Sequence, residues 1–176
     1  PAGLAGSSCH LHSSLWDAKS GEPLGWDKSG PAHMSKQLQQ WVAGQLALGR
    51  DLAVFYAPYV NSYRRYQAGT FAPTRLVAGV DNRTCGLRII GHSAKAVRME
   101  NRCPGADANP YLAFAATIAA GLHGIEHGLK FDGLYTGDAY RDPKVPEVPK
   151  TLYEAITLLE NSKPARAAFG DVVVDH

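Results

Sequence analysis

Long apolar runs are absent from this sequence. A membrane-spanning helix needs about 20 consecutive apolar residues, whereas the richest apolar stretch, residues 111–120, is half that length and is flanked by polar signals. Internal repeats are also absent, and a composition of 45% hydrophobic and 19% charged residues is ordinary for a globular domain. These features exclude membrane-spanning, disordered and collagen-like classes. With 176 residues, the chain is long enough to bury one core.

Cysteine is scarce as well. Cys9, Cys85 and Cys103 have the spacing of neither a disulfide framework nor a zinc site. Residues 1–6 lack the basic region and the apolar stretch of a signal peptide, and the missing initiator Met indicates that the true start lies upstream. We therefore expect a fragment of a cytoplasmic protein with buried thiols.

Charge of one sign is not in large excess. A net charge of +2 gives no support for binding to nucleic acid or to a membrane surface. Eight basic residues nevertheless fall within one segment that contains only two acidic residues, Asp81 and Glu100; they are Arg64, Arg65, Arg75, Arg83, Arg88, Lys95, Arg98 and Arg102. This local excess predicts a small polyanionic ligand such as ATP. A general polyanion-binding module remains the alternative.

The segment 95–102 carries the most informative pattern. In a strand, side chains alternate between faces, so Arg98, Glu100 and Arg102 would share one face, while Met99 points to the other. Arginine suits forked recognition of carboxylate or phosphate, and a carboxylate between two arginines can pair with them or bind a divalent cation. A solvated strand face would show the same pattern.

A second strand pattern, residues 7–16, places His10, His12 and Ser14 on one face. Two histidines at this spacing project side by side and can bind a metal or a phosphate. Two polar residues on a wet face are the alternative interpretation.

The remaining segments alternate between helices, loops and strands. We predict helices at 32–48, 51–57, 110–128 and 151–160, strands at 76–80 and 86–90, and loops at 17–31, 60–73 and 129–150. Asn109 and Thr151 are the expected N-caps of the last two helices. The helix 110–128 is rich in small residues that permit close packing, and we expect His123, Glu126 and His127 on its solvent face.

Five motifs taken together resemble the catalytic domain of the glutamine synthetase family. They occur in the family's order over nearly the whole chain, at residues 6–16, 61–65, 81–88, 95–102 and 104–111. The pattern is most similar to synthetases of γ-glutamylputrescine and γ-glutamylpolyamines. The resemblance implies an α+β fold in which an antiparallel sheet forms the floor of the active site and helices pack on its outer face. Residues 1–176 would then be one part of a single catalytic domain.

The resemblance also implies an ATP-dependent ligase that joins the γ-carboxylate of glutamate to an amine through γ-glutamyl phosphate. His10 and Glu100 correspond to ligands of Mg²⁺ or Mn²⁺. Positions that correspond to ATP contacts are His12, Ser14, Arg83, Arg88, Lys95 and Arg98. Positions that correspond to glutamate contacts are Gly6, Arg65, Arg83 and Arg102, and Arg83 also touches the transferring phosphoryl group.

Three positions depart from the family pattern. Ala5 replaces an asparagine that contacts the amino acid, and the region around Tyr140 differs from the family's adenylylated loop. Phe71 replaces the glutamate that holds and deprotonates ammonium. Phenylalanine can do neither, but it can form an acceptor pocket for a larger organic amine. This predicts an organic amine or polyamine as acceptor, with ammonia-dependent glutamine synthesis as the first alternative.

Two further expectations follow from the resemblance. The remaining metal ligands and the smaller N-terminal domain lie upstream in the family, so we expect the isolated fragment to be inactive. The full-length protein is expected to form a homo-oligomer, a dodecamer of two hexameric rings. A non-catalytic structural member of the family is the alternative from a different class; the retained His10, Glu100 and arginines argue against it.

Overall fold

The computed structural model describes residues 6–176 as an α+β fold, as predicted. One four-stranded sheet has the order β1-β4-β3-β2. The strands are β1 (Leu11–Ser13), β2 (Arg75–Val80), β3 (Cys85–Ile90) and β4 (Arg98–Asn101). The helices are α1 (Lys36–Leu48), α2 (Ala53–Tyr56), α3 (Pro110–Glu126), α4 (Leu152–Glu160), α5 (Lys163–Phe169) and α6 (Asp171–Asp175). Short 3₁₀ helices cover Pro31–His33, Val60–Arg65 and Ala139–Arg141.

The sheet departs from the expected antiparallel arrangement at one of its junctions. The β1–β4 and β4–β3 pairs are antiparallel, but β2 and β3 are parallel, with Cys85 beside Arg75 and Ile89 beside Val80. Residues 81–84 therefore carry the chain back along β2 before β3 begins. Asp81 makes this possible with a left-handed backbone (φ 48°) and an N–H that donates to the Ile89 carbonyl.

Helix α1 packs under the sheet. Its side of the core comes from Leu38 and Val42, and the sheet contributes Leu87, Ile89 and Met99, all nearly inaccessible to solvent. The helix begins later than predicted because the Ser35 hydroxyl caps it by accepting from the Leu38 N–H. Pro31–His33 forms a separate 3₁₀ turn before that cap.

Helix α3 lies against α1 at backbone contact distance. A Cβ added to Gly44 would lie 2.0 Å from the Ala120 carbonyl oxygen, and one added to Gly124 would lie 2.0 Å from the Gln40 carbonyl oxygen. These glycines are required because any side chain would push the helices apart. The predicted cap is confirmed, since the Asn109 side chain accepts from the N–H groups of the first turn.

The C-terminal part contains more helix than predicted. The cap of α4 is confirmed, because the Thr151 hydroxyl accepts from the Glu154 N–H. The expectation that α4 is the last helix is wrong, since α5 and α6 follow it. Ser162 caps α5, which has only seven residues, too few for a clear hydrophobic period. Within residues 6–176, no helix has the length and apolarity that crossing a membrane requires.

Candidate active site

The sheet brings three polar side chains into one row. Glu100 of β4 lies opposite His12 of β1 on one side and opposite Arg88 of β3 on the other. The predicted alternation of β4 is confirmed: Met99 lies in the core, whereas Glu100 contacts the polar row. The strand β1 is shorter than predicted, Leu11–Ser13, but its side chains keep the predicted facing.

Glu100 is the centre of this row. The residue is only 4% exposed, and both of its carboxylate oxygens are engaged. Oε1 lies 3.0 Å from Arg102 Nη1 and 2.9 Å from His10 Nδ1, and Oε2 lies 3.2 Å from Arg88 Nη1. Burial alone would raise the pKa of Glu100, but the charge of Arg102, the charge that His10 carries at acidic pH, and the hydrogen bonds from Arg88 and Arg102 lower it. Glu100 is therefore ionised at neutral pH.

His10 is kept neutral by its surroundings. Burial lowers the pKa of His10, and the positive charge of Arg102 lowers it further, against the opposing effect of Glu100. The short contact to Glu100 needs the imidazole proton on Nδ1, because the ionised carboxylate can only accept. This tautomer leaves Nε2 with a lone pair for a ligand.

His10 and Glu100 fit the donor chemistry of a divalent-cation site. A carboxylate and an imidazole supply hard and borderline donors that Mg²⁺ and Mn²⁺ accept; their contact of 2.9 Å is the hydrogen bond from His10 Nδ1 to Glu100 Oε1, which fixes the His10 ring and leaves Nε2 as its ligand atom. No group of three or more His, Cys, Asp or Glu side chains gathers for a metal among residues 6–176. These two residues can therefore be only part of a coordination shell.

Three of the four predicted glutamate-binding residues, Gly6, Arg65 and Arg102, lie together, whereas Arg83 lies in the turn between β2 and β3. Arg65 donates from its two terminal nitrogens to the carbonyls of Cys103 and Arg102. A Cβ on Gly6 would lie 3.3 Å from Arg65 Cγ, so glycine lets this segment approach Arg65 closely. Arg102, 4% exposed, donates to Glu100 and to the Phe71 carbonyl, and its Nε has no partner among the described residues. Ala5 lies outside the described residues.

The predicted nucleotide contacts are partly assembled. Arg98 Nε donates to His12 Nδ1 at 3.2 Å, which connects β4 to β1 on the site face. Ser14 lies just beyond β1, where its hydroxyl accepts from Trp16. Lys95 is exposed in the turn between β3 and β4, and no contact brings it to Glu100. Arg83 is exposed in the turn between β2 and β3.

An open cleft of about 780 Å³ lies beside the polar row. Phe71, Arg83 and Arg88 line it, together with residues 80–82 and 134–137. Phe71 is 58% exposed and has a left-handed backbone with φ 59°, a conformation that costs about 1–2 kcal/mol in a residue other than glycine. The predicted acceptor residue and two predicted ATP residues thus share one cleft.

Some residues of this cleft were not found from the sequence. Asp81 Oδ1 accepts from Arg88 Nη2 at 2.9 Å and so fixes this guanidinium from its second side. Leu134 and Tyr135 reach the cleft because the Tyr135 N–H donates to the Ala78 carbonyl of β2. The loop 129–138 has no hydrophobic period that would have indicated this position.

Comparison with known proteins gives one consistent result. The family model described as "Glutamine synthetase, catalytic domain" matches residues 1–176. The gamma-glutamylethanolamide synthetase GlnA4 of Streptomyces coelicolor is 49% identical over 98% of this chain. The type-1 glutamine synthetase 2 of Dictyostelium discoideum is 41% identical over 98% of it, and the glutamate–isopropylamine ligase of a Pseudomonas species is 38% identical over 98%.

A solved structure described as apo GmaS without ligand superposes with a TM-score of 0.86 at 31% identity, covering 98% of this chain and 40% of that one. The chain spans 36%, 34% and 38% of the length of the three relatives. The chain belongs to the glutamine synthetase family, as a part of its catalytic domain. The resemblance predicted from the five motifs is therefore confirmed.

Proposed function

We propose that the protein containing this chain is an ATP-dependent ligase that joins the γ-carboxylate of glutamate to an organic amine. The observation that carries the proposal is the buried Glu100 carboxylate, held by Arg88, Arg102 and His10 beside a cleft whose wall includes Phe71 in place of a carboxylate. The first part of the site suits phosphoryl transfer. In the second part, the carboxylate that lines the cleft, Asp81, is paired with Arg88, and Phe71 presents an apolar wall that suits an acceptor larger than ammonium.

The cationic groups of the site can neutralise the negative charge that develops in the first step of the reaction. In that step a γ-carboxylate oxygen of glutamate attacks the γ-phosphorus of ATP, and ADP leaves with the electron pair. Negative charge spreads over the transferring oxygens, so catalysis consists mainly of positioning and neutralisation. Arg88 and Arg98 are fixed by Asp81 and His12; Arg83, on the rim of the cleft, is the residue we assign to the transferring phosphoryl group.

His10 and Glu100 would hold a Mg²⁺ or Mn²⁺ ion as two of its ligands. When bound, the ion neutralises phosphate charge and orients the leaving ADP. Arg102 and Arg88 hold the Glu100 carboxylate in place from both sides. Arg65 and Arg102, beside Gly6, are the groups we assign to the glutamate carboxylates.

The second step requires an amine to attack the acyl carbon of γ-glutamyl phosphate, with loss of phosphate and of one amine proton. An ammonium acceptor needs a carboxylate to bind it and take its proton. Phe71 offers an apolar wall, or a ring face for a cation, a contact worth about 0.5–2 kcal/mol. The names of two relatives, which include ethanolamide and isopropylamine, support an organic acceptor.

Residues 1–176 contain only part of the proposed metal site. Because this chain supplies only two of the proposed metal ligands, His10 and Glu100, we propose that residues 1–176 alone do not release ADP. We also propose that the complete polypeptide works as a homo-oligomer of two hexameric rings. Glutamine synthesis from ammonium is the second candidate, supported by the 41% identity to a glutamine synthetase of Dictyostelium discoideum.

A direct experiment separates the two acceptors. The complete polypeptide would be assayed for ADP release with glutamate, ATP and Mg²⁺, and with ammonium, ethanolamine, isopropylamine, short diamines or spermidine as acceptor. We expect the highest kcat/KM with one of the organic amines. Turnover with ammonium and with none of the organic amines would assign the protein to glutamine synthesis. Absence of glutamate-dependent ADP release with every acceptor would contradict the ligase assignment itself.

A further inference from the structure

Two histidines lie side by side at the C-terminal end of α3 and are not among the residues that line the cleft of the candidate active site. His123 and His127 are four residues apart, and their ring centroids are separated by 4.2 Å with an angle of 36° between the planes. Residues four apart on a helix share one face. His127 is exposed and His123 partly exposed, so both rings can be reached from solvent.

The ring of His127 makes the kind of hydrogen bond that metal-ligating histidines use. His127 Nδ1 lies 3.0 Å from the His123 carbonyl oxygen, and the carbonyl can only accept, so the imidazole proton is on Nδ1. A backbone carbonyl that takes one imidazole N–H fixes the tautomer and ring orientation, and leaves the other nitrogen to the metal. His127 Nε2 is therefore a prepared ligand atom.

His123 can supply the second nitrogen. Burial lowers the pKa of His123, and the neighbouring His127 lowers it further, against the effect of Glu126. A lowered pKa favours the neutral imidazole, the form that binds metals. Both rings also lie at a helix C-terminus, where the partial negative charge of the backbone carbonyls favours a bound cation.

We propose that His123 and His127 form a two-histidine site for a borderline transition-metal ion, in the class of Cu²⁺, Ni²⁺ and Zn²⁺. Two imidazole nitrogens without a carboxylate suit these ions, whereas Mg²⁺ prefers sites in which oxygen ligands predominate. Among residues 6–176, no third His, Cys, Asp or Glu side chain joins the pair, so water would complete the shell. This site is separate from His10 and Glu100 and takes a different class of ion.

A bound ion would act on the end of α3. It would bridge two successive turns of the helix, immediately before Gly128, whose backbone is left-handed with φ 60°. The last turn would then be fixed to the turn before it. Because a ligand that binds only the folded state stabilises it by mass action, occupancy should be visible as a rise in melting temperature without any measurement of activity.

The test uses the complete polypeptide with 10 mM Mg²⁺ present to occupy oxygen-rich sites, and titrates NiCl₂ or CuCl₂ by calorimetry and by electron paramagnetic resonance. We expect His123→Gln and His127→Gln each to lose one equivalent of Cu²⁺, or to weaken its binding at least tenfold. His92→Gln is the control. The side chain of His92 is 83% exposed and has no histidine four residues away, so this variant should bind Cu²⁺ as the wild type does.

A second control keeps both rings. Glu126→Gln removes the adjacent carboxylate and should change the affinity less than either histidine variant. Ni²⁺ should raise the melting temperature of the wild type and of Glu126→Gln, but not that of the double variant His123→Gln/His127→Gln. Titration curves of both single histidine variants that superpose on the wild type would overturn the proposal, as would a wild type that binds no more metal than the double variant.

Discussion

Arg102 Nη2 donates to the backbone carbonyl of Phe71 at 3.1 Å. The same guanidinium donates from Nη1 to Glu100, at the centre of the site. A single buried arginine thus connects the carboxylate assigned to the metal with the loop assigned to the acceptor. This bond also helps to hold Phe71 in its left-handed backbone conformation.

Removing this arginine should destabilise the domain. In Arg102→Met, Glu100 loses a buried partner, and breaking a buried pair from one side costs about 3–5 kcal/mol. We expect the free energy of unfolding, measured by denaturant titration, to fall by that amount. The matched control is Arg141→Met, because Arg141 is 88% exposed and pairs with Asp138 at the surface. Equal effects of the two substitutions would contradict the central role of Arg102.

Glu100 should be essential to nucleotide binding with the metal. Glu100→Ala removes a proposed ligand and leaves Arg88 and Arg102 without their shared carboxylate. We expect ligase activity to be lost and Mn²⁺-dependent binding of ATP, measured by calorimetry, to weaken at least tenfold. Glu160→Ala changes an exposed carboxylate at the end of α4 and should leave both unchanged. Near-normal turnover by Glu100→Ala would remove Glu100 from the metal site.

Phe71 should decide which acceptor is used. Phe71→Glu restores a carboxylate that can bind ammonium and take its proton, so kcat/KM should shift from organic amines toward ammonium. Phe71→Leu keeps an apolar wall but loses the ring face. The lost cation–π contact of about 0.5–2 kcal/mol corresponds to a roughly two- to thirty-fold lower kcat/KM for a cationic amine. An unchanged ratio between ammonium and organic amines in Phe71→Glu would place the acceptor site elsewhere.

Acidification should destabilise the domain in two steps. The pKa of His10 lies below 6.5 in the folded state, so the unfolded state binds the proton more readily and stability falls as the pH drops below about 6.5. The pKa of Glu100 lies below 4.5, so its contribution is present above about 4.5 and is lost as the pH falls through the folded value. His123, whose pKa is also lowered, adds to the first step.

Melting temperatures between pH 8 and pH 4 would measure both steps. His10→Gln should reduce the size of the first step, and it should also reduce the second, because the charge of His10 is one of the causes that lower the pKa of Glu100. The double variant His10→Gln/His123→Gln should flatten the first step further. A first step of unchanged size in the double variant would show that other groups cause it.

The residues that the sequence placed correctly are those governed by local rules. Asn109 and Thr151 cap α3 and α4 as predicted, because a capping side chain needs only its own helix. The facing of Glu100 and Met99 follows from the period of a strand. The row of His12, Glu100 and Arg88 followed from this alternation together with the family motifs.

The features that were missed depend on contacts between distant segments. Nothing local to β2 and β3 indicates that they pair in parallel, because the arrangement depends on the left-handed Asp81 and on the return of residues 81–84. The bond from Arg102 to Phe71 joins residues 31 positions apart. Tyr135 reaches the cleft only because β2 supplies the Ala78 carbonyl to its N–H. Lys95 has the right motif position but lies exposed in a turn.

The close contact of Gly44 with Gly124 means that the interface between α1 and α3 tolerates no larger residue at these two positions. The backbones of the two helices are in contact there, and α1 also shares a core with the sheet. Helices α1 and α3 and the sheet therefore form one tightly packed unit. Phe71 and Tyr135 stand on loops outside that unit. Substitutions at Phe71 or Tyr135 can therefore change the wall of the cleft without disturbing the packing of α1 against α3.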